Sequence, residues 1–255
     1  PPGLGLWPLS TVTTVNEGFL YGCSGLTALD LSPLSKVTTG HSWFLDGCSG
    51  LTALDLSPLS KMTTVHGSFL NGCYGLTALD LSPLSNATRI NSSFLRGCVG
   101  LRSLDLTPLS KVSTLGDSFL YGCSGITALD LSPLSKVTCI RYSFLSSCSG
   151  LTALNLSQLS NVVSVDSWFL SECSGLSTLD LSSFSKVSAL APGFLEGCSK
   201  LREVTVPSTN PQIVEVCKAL PRVAVMTVEA KARAEADKLK VNVEAVRKSK
   251  EEAER

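Results

Sequence analysis

Eight of the chain's ten cysteines stand in register: Cys23, Cys48, Cys73, Cys98, Cys123, Cys148, Cys173 and Cys198 recur every 25 residues. A column of thiols can form disulfides, hold a metal or fill a core. On successive rungs of a stack the Cβ vectors run parallel about 4.8 Å apart, whereas a disulfide needs Cβ atoms near ~3.8 Å and turned toward each other. Zinc needs ligands that converge as a tetrahedron, which a straight column does not supply. The column therefore reads as packing, each thiol acting as a small hydrophobe. Cys139 and Cys217 stand apart as lone thiols.

Carboxylates form a second column: Asp30, Asp55, Asp80, Asp105 and Asp130, then Asn155, then Asp180. Each lies between two leucines, so the leucines point to one side of a strand and the acid to the other. Like charges on neighbouring rungs repel, and bound cations, flanking Ser and Thr hydroxyls or partial protonation must offset this. One reading is a negative stripe that binds Ca²⁺ or a basic ligand. The plainer one is a short sequence copied by duplication. Trp43 and Trp168, each directly before a phenylalanine, offer a second contact patch. His41 and His66 are neighbours in the stack and can chelate a metal, although exposed imidazoles in turns are more often solvated. With only these two His and no Gly-x-Ser-x-Gly, Walker loop, His-Glu-x-x-His or Gly-x-Gly-x-x-Gly, no catalytic constellation is present in the sequence. No cofactor or metal is expected.

What positions these columns is a repeat. Phe19, Phe44, Phe69, Phe94, Phe119, Phe144, Phe169 and Phe194 keep the 25-residue spacing without a slip. The unit reads S-F-L-x-G-C-S-G-L-T-A-L-D-L-S-P-L-S-K-V-T-T-V, and Leu4 to Val15 reads as the tail of one more, so a truncated N-terminus is expected. A unit this short cannot bury its own apolar stripe, but stacking it on the next one builds a continuous core. Leu29 and Leu31 supply the inward face of one strand. Pro33 ends pairing there. Two further aliphatic columns, one through Val37, Met62, Val112 and Val137, the other through Val15, Val65, Ile90, Leu115 and Ile140, continue the inward face, with Gly40 the exception. Phe19, Leu20 and Cys23 fit a short helical turn. The expected architecture is a curved solenoid of parallel strands, about eight rungs and roughly 40 Å long.

The L-x-x-L-x-L core, the proline after it and the F-x-x-x-C-x-x-L segment, as in Phe44, Cys48 and Leu51, resemble the leucine-rich repeat superfamily, and within it the BspA-like (Treponema pallidum type) class. The resemblance covers about residues 4–206, with two extra residues per unit. It implies a leucine-rich-repeat solenoid with a curved parallel β-sheet on the concave side, carrying the Asp column, and short helical turns behind. It also implies a surface-exposed adhesion or host-interaction protein of bacteria or protists.

Beyond the repeats the pattern changes. The sequence divides into a solenoid over 1–206, an atypical capping unit over 207–228 and a charged helical tail over 229–255. Within the cap, Pro211 to Leu220 reads as a helix and Val223 to Val228 as a strand. In the tail, Ala232, Ala236, Leu239, Val243 and Val246 fall at spacings of 4, 3, 4 and 3, a narrow apolar seam. That seam fits a coiled-coil start, a helix packed on the solenoid or a stalk.

Composition narrows the function. Twenty-one basic and 21 acidic residues cancel, so no global field draws the chain to nucleic acid. No apolar run reaches the ~18 residues of a membrane span. Three glycosylation sequons, at Asn86, Asn91 and Asn155, lean toward a cell-surface or extracellular location over a cytoplasmic one. Ten cysteines without disulfide-like spacing lean the other way. The expected function is non-catalytic recognition or adhesion, with a protein or other macromolecule as partner. The alternative is an intracellular scaffold that self-associates through residues 229–255.

Overall fold

The computed structural model describes residues 6–253 of the 255-residue chain. Leu4, the start of the extra repeat tail, lies outside the described residues. The chain winds into a stack in which each residue lies beside its equivalent 25 positions on. Along the stack run short parallel strands: β1 (Thr64–Val65), β2 (Arg89–Ile90), β3 (Thr114–Leu115), β4 (Cys139–Ile140), β5 (Ser164–Val165), β6 (Thr178–Asp180), β7 (Ala189–Leu190), β8 (Glu203–Val206) and β9 (Ala224–Thr227). They form three sheets of three strands each, ordered β1-β2-β3, β4-β5-β7 and β6-β8-β9. The register repeats the sequence period, with Thr64 opposite Arg89 and Arg89 opposite Thr114. Two helices close the chain: α1 (Pro211–Lys218) and α2 (Val228–Ala253).

One unit shows how the sequence builds a rung. Phe94, Leu95, Cys98, Leu101, Leu104, Leu106, Leu109, Val112 and Leu115 are all buried. Nine apolar side chains from 25 residues fill the inside, and the polar residues between them face out. The aliphatic columns read from the sequence do line this core. Met62 replaces the usual valine of its column where Gly40, on the rung before, leaves space; a Cβ on Gly40 would lie 3.1 Å from the Met62 Cε.

Two local features differ from the sequence expectation. Pairing on the Leu-x-Leu face is sparse: an Asp130–Asn155 bridge and, at the C-terminal end, the regular sheet β6-β8-β9. Through the middle of the molecule the paired strands lie instead on the following face, at Thr64–Val65 and its equivalents. The cause is local. The last leucine of each rung already has turn geometry, as at Leu56 with φ −90° and ψ 0°, and opens a 3-10 turn, Ser57–Leu59, with proline at its start. That turn confines the extended stretch to the few residues before the leucine, as in β6, Thr178–Asp180.

The second difference is the Phe turn, which is left-handed at three positions per unit. The leucine after each Phe has φ between 52° (Leu95) and 57° (Leu195). The residue before Phe is left-handed too, as at Ser68 and Ser118, each with φ 56°. The third position holds Gly in six units, and Ser147 and Glu172 in the other two. Left-handed backbone costs a non-glycine residue about 1–2 kcal/mol. Within this turn two consecutive side chains point inward: Phe119 and Leu120 are both buried. Inter-rung bonds hold the turn, Leu120 N–H donating to Phe94 O at 3.1 Å.

The C-terminal end departs from the period. Asn210 is buried, its amide donating to Phe184 O at 3.2 Å and Val187 O at 2.6 Å, while its own oxygen caps α1 through Ile213 N–H. Strand β9 then pairs with β8, Val204 opposite Val225. Cys217, on the inner face of α1, is buried, and burial pushes its thiol up to about 12.

Candidate functional site

The thiol column is a hydrogen-bonded ladder. All ten cysteines are free. From Cys48 to Cys198 each Sγ–H of the column donates to the carbonyl of the leucine 28 positions earlier: Cys73 to Leu45 O at 3.2 Å, Cys148 to Leu120 O at 3.1 Å. Burial first, then the neighbouring thiols, push Cys48 up to about 11 and Cys73 up to about 12. Such thiols stay protonated and are neither nucleophiles nor ready metal ligands. The Phe column runs alongside as one stack, with ring centroids 5.6 Å apart for Phe94–Phe119 and 5.5 Å for Phe119–Phe144.

The acidic column is exposed, and each carboxylate is already engaged. Asp30 Oδ1 accepts the Ser32 backbone N–H at 2.8 Å and its Oδ2 accepts the Ser32 hydroxyl at 2.9 Å. The backbone contact recurs at Asp55, Asp80, Asp105, Asp130 and Asp180. The acid thus caps the 3-10 turn that follows it, and flanking hydroxyls, one of the three offsets expected, do oppose the repulsion. These bonds hold Asp30, Asp80, Asp105 and Asp130 below the ordinary carboxyl value of 3.8. Repulsion from Asp105 acts on Asp80 and Asp130 and is the smallest influence on each. Asn155 makes the same cap, accepting Ser157 N–H at 2.9 Å. At the C-terminal end a shallow trough of about 550 Å³ lies between Asp130, Asn155, Asp180, Glu203 and Lys231.

Because the folded-state values are lowered, the stabilisation is complete above pH 3.8 and is lost as pH falls through the lowered values. Asp105→Asn, which keeps one accepting oxygen but loses the charge, is expected to lower the thermal midpoint at neutral pH slightly, and Asp105→Ala to lower it further. A chain with Asn at Asp30, Asp80, Asp105 and Asp130 is expected to lose part of its acid sensitivity, read as thermal midpoints across an acid pH series.

The Phe turns form another exposed surface. Trp43 and Trp168 are 44% and 41% exposed. Each meets a tyrosine edge-on: Trp43 with Tyr21 at 6.4 Å, Trp168 with Tyr142 at 4.6 Å. Between these pairs Arg96 stacks over Tyr121, 4.8 Å from the ring centroid. Arg141 bridges Asp117 at 3.9 Å and Asp166 at 3.5 Å across neighbouring rungs. The sequence singles out the two tryptophans; their partners sit two residues after or two before a phenylalanine, so no single column contains them.

His41 and His66 do stack, with centroids 5.8 Å apart. Burial, then the charge of His41, holds His66 below the usual imidazole value. Among the described residues no three His, Cys, Asp or Glu are grouped to hold a metal ion, and no helix is long and apolar enough to cross a membrane.

Comparison with known proteins agrees with this architecture. The BspA type leucine-rich repeat region (6 copies) matches residues 7–127 and 88–217. No curated protein matches the chain. Among solved structures, a leucine-rich repeat protein from Bacteroides ovatus is similar at 15% identity with a TM-score of 0.52, covering 86% of this chain and 67% of that one. The functional domain of InlJ from Listeria monocytogenes, described as including a cysteine ladder, is 19% identical with a TM-score of 0.32, covering 80% of this chain and 60% of that one. The Bacteroides likeness shows the fold alone. The family match spans the stacked units from their first Pro-Leu turn into α1, and the chain belongs to the BspA-type leucine-rich repeat family.

Proposed function

We propose that the protein is a non-catalytic module of the surface-adhesion type that binds another macromolecule, and that the edge formed by its Phe turns makes the contact. One observation carries this reading. The 25-residue frame is nearly invariant, and along that edge it is broken by exposed Tyr21, Trp43, Arg96, Tyr142 and Trp168, of the residue types that dominate binding hot spots. The Leu-x-Leu face presents Ala28, Ala53 and Ala78 beside carboxylates occupied with their own turns, a smooth surface with few anchors. It is the second contact face of this reading, for a basic ligand or Ca²⁺.

The test uses fluorescently labelled chain on intact cells and on immobilised extracellular-matrix proteins. Trp43→Ala with Trp168→Ala is expected to weaken binding about tenfold or more while leaving the thermal midpoint near that of the parent. Reversing the charge at Asp80, Asp105 and Asp130 is expected to lower the thermal midpoint and to change binding by the folded chain little. The opposite result moves the contact to the acidic face, and calorimetry with calcium chloride then separates cation from protein binding. A parent chain that binds none of these surfaces sinks the adhesion reading.

A further inference from the structure

Helix α2 leaves the solenoid after one turn. Ser208 Oγ donates to the Glu229 carboxylate at 2.7 Å, Lys231 Nζ donates to Thr205 Oγ1 at 3.2 Å, and Thr227 Oγ1 accepts the Ala230 N–H at 3.2 Å. These contacts fix where the helix starts. From Ala232 to Ser249 every residue is exposed. Leu239, Val243 and Val246 are 65%, 62% and 52% exposed. A 26-residue helix is about 39 Å long, and this exposed stretch makes up most of it.

The apolar residues of this free segment follow a heptad. Ala232, Leu239 and Val246 take the d position, Ala236 and Val243 the a position, and Lys250 the next a. Valine at a with leucine at d suits two parallel strands, and a single polar a position fixes register. The flanks decide the direction. Position e holds Arg233, Lys240 and Arg247, all basic, while position g holds Glu235, Asn242 and Ser249. An antiparallel pair sets e against e, facing basic residue to basic residue. In a parallel pair g faces the e position five residues on, so Glu235 meets Lys240 of the other copy, twice by symmetry. Among the described residues Lys240 pairs with Asp237 at 3.4 Å on an open surface, a pair of little strength.

We propose that α2 pairs with α2 of a second copy as a parallel two-stranded coiled coil, its seam formed by Ala232, Ala236, Leu239, Val243 and Val246. The inference is independent of which solenoid face meets a ligand.

Sedimentation equilibrium of the whole reduced chain, at on the order of 100 µM, is expected to give twice the mass of one chain. Leu239→Asp, outside every contact of the solenoid, is expected to give the monomer with an unchanged thermal midpoint for the solenoid. Glu235→Lys weakens the dimer several-fold, and adding Lys240→Glu to it restores pairing. Ala232→Cys under mild oxidation is expected to give a disulfide-linked dimer that the parent does not form. A monomeric parent overturns the proposal, including the case in which α2 serves a different protein. A dimer that Glu235→Lys leaves unweakened, or that Ala232→Cys does not cross-link, is antiparallel and overturns it as well.

Discussion

Phe119→Ala is expected to cost about 3–5 kcal/mol, measured as the shift in urea midpoint at constant slope. The ring is 1% exposed and stacked on both sides, by Phe94 and Phe144, so the lost volume opens onto side chains held in register by their own rungs. The turn cannot collapse into that space without breaking the Leu120 N–H to Phe94 O and Leu145 N–H to Phe119 O bonds. The site sits at the high end of the usual range for that reason. A cost below about 1.5 kcal/mol, the size of an isosteric core swap, would mean the Phe column is not a continuous part of the core.

Gly75→Ala is the second large effect, and the surprising one by size, since it adds a single carbon. A Cβ there would lie 2.6 Å from Leu51 O and 2.7 Å from Ser49 O, both backbone oxygens of the preceding rung. Backbone cannot retreat as a flexible side chain does, and Gly75 N–H itself donates to Ser49 O at 3.1 Å. We expect about 3 kcal/mol, the upper end for overpacking. Gly22→Ala is the control. Nothing lies within 4 Å of its added carbon, and only its φ of +72° opposes it, so about 1 kcal/mol is expected. If both substitutions cost the same, conformation and not inter-rung contact explains these glycines. Glycine holds the position from Gly25 to Gly175 and yields to Lys200 only in the last unit, where β6, β8 and β9 replace the sparse Leu-x-Leu pairing.

The period, the inward columns and the terminal irregularity were legible because duplication prints each contact eight times. Other features were not, each for a physical reason. The Leu-x-Leu segment reads as a strand, but the proline behind it and the Asp that takes the Ser N–H open a turn instead. Leucine has no preference for left-handed backbone, so nothing at Leu95 announces its φ of 52°. The only hints lay in neighbouring glycines, Gly18 and Gly193 before a Phe, and Gly22 and its equivalents after. The thiol bonds reach 28 residues back and not 25, so a search along one column passes over them. The aromatic pairs join different offsets of successive units and emerge only when the turn folds. The acidic column was visible as a column, but its partners, amides two residues away, are a property of backbone conformation.

The ladders have a mechanical meaning. Every repeated bond between rungs, from Cys148 Sγ–H to Leu120 O to the strand register of Thr64 with Arg89, joins a unit to its immediate neighbour, and no disulfide spans two rungs. Tension applied between the ends therefore loads the units in series. The stack yields as a zip, from an end inward, and each unit of 25 residues releases roughly 85 Å of slack as it opens. A chain of this kind lengthens in steps under pull instead of failing at once.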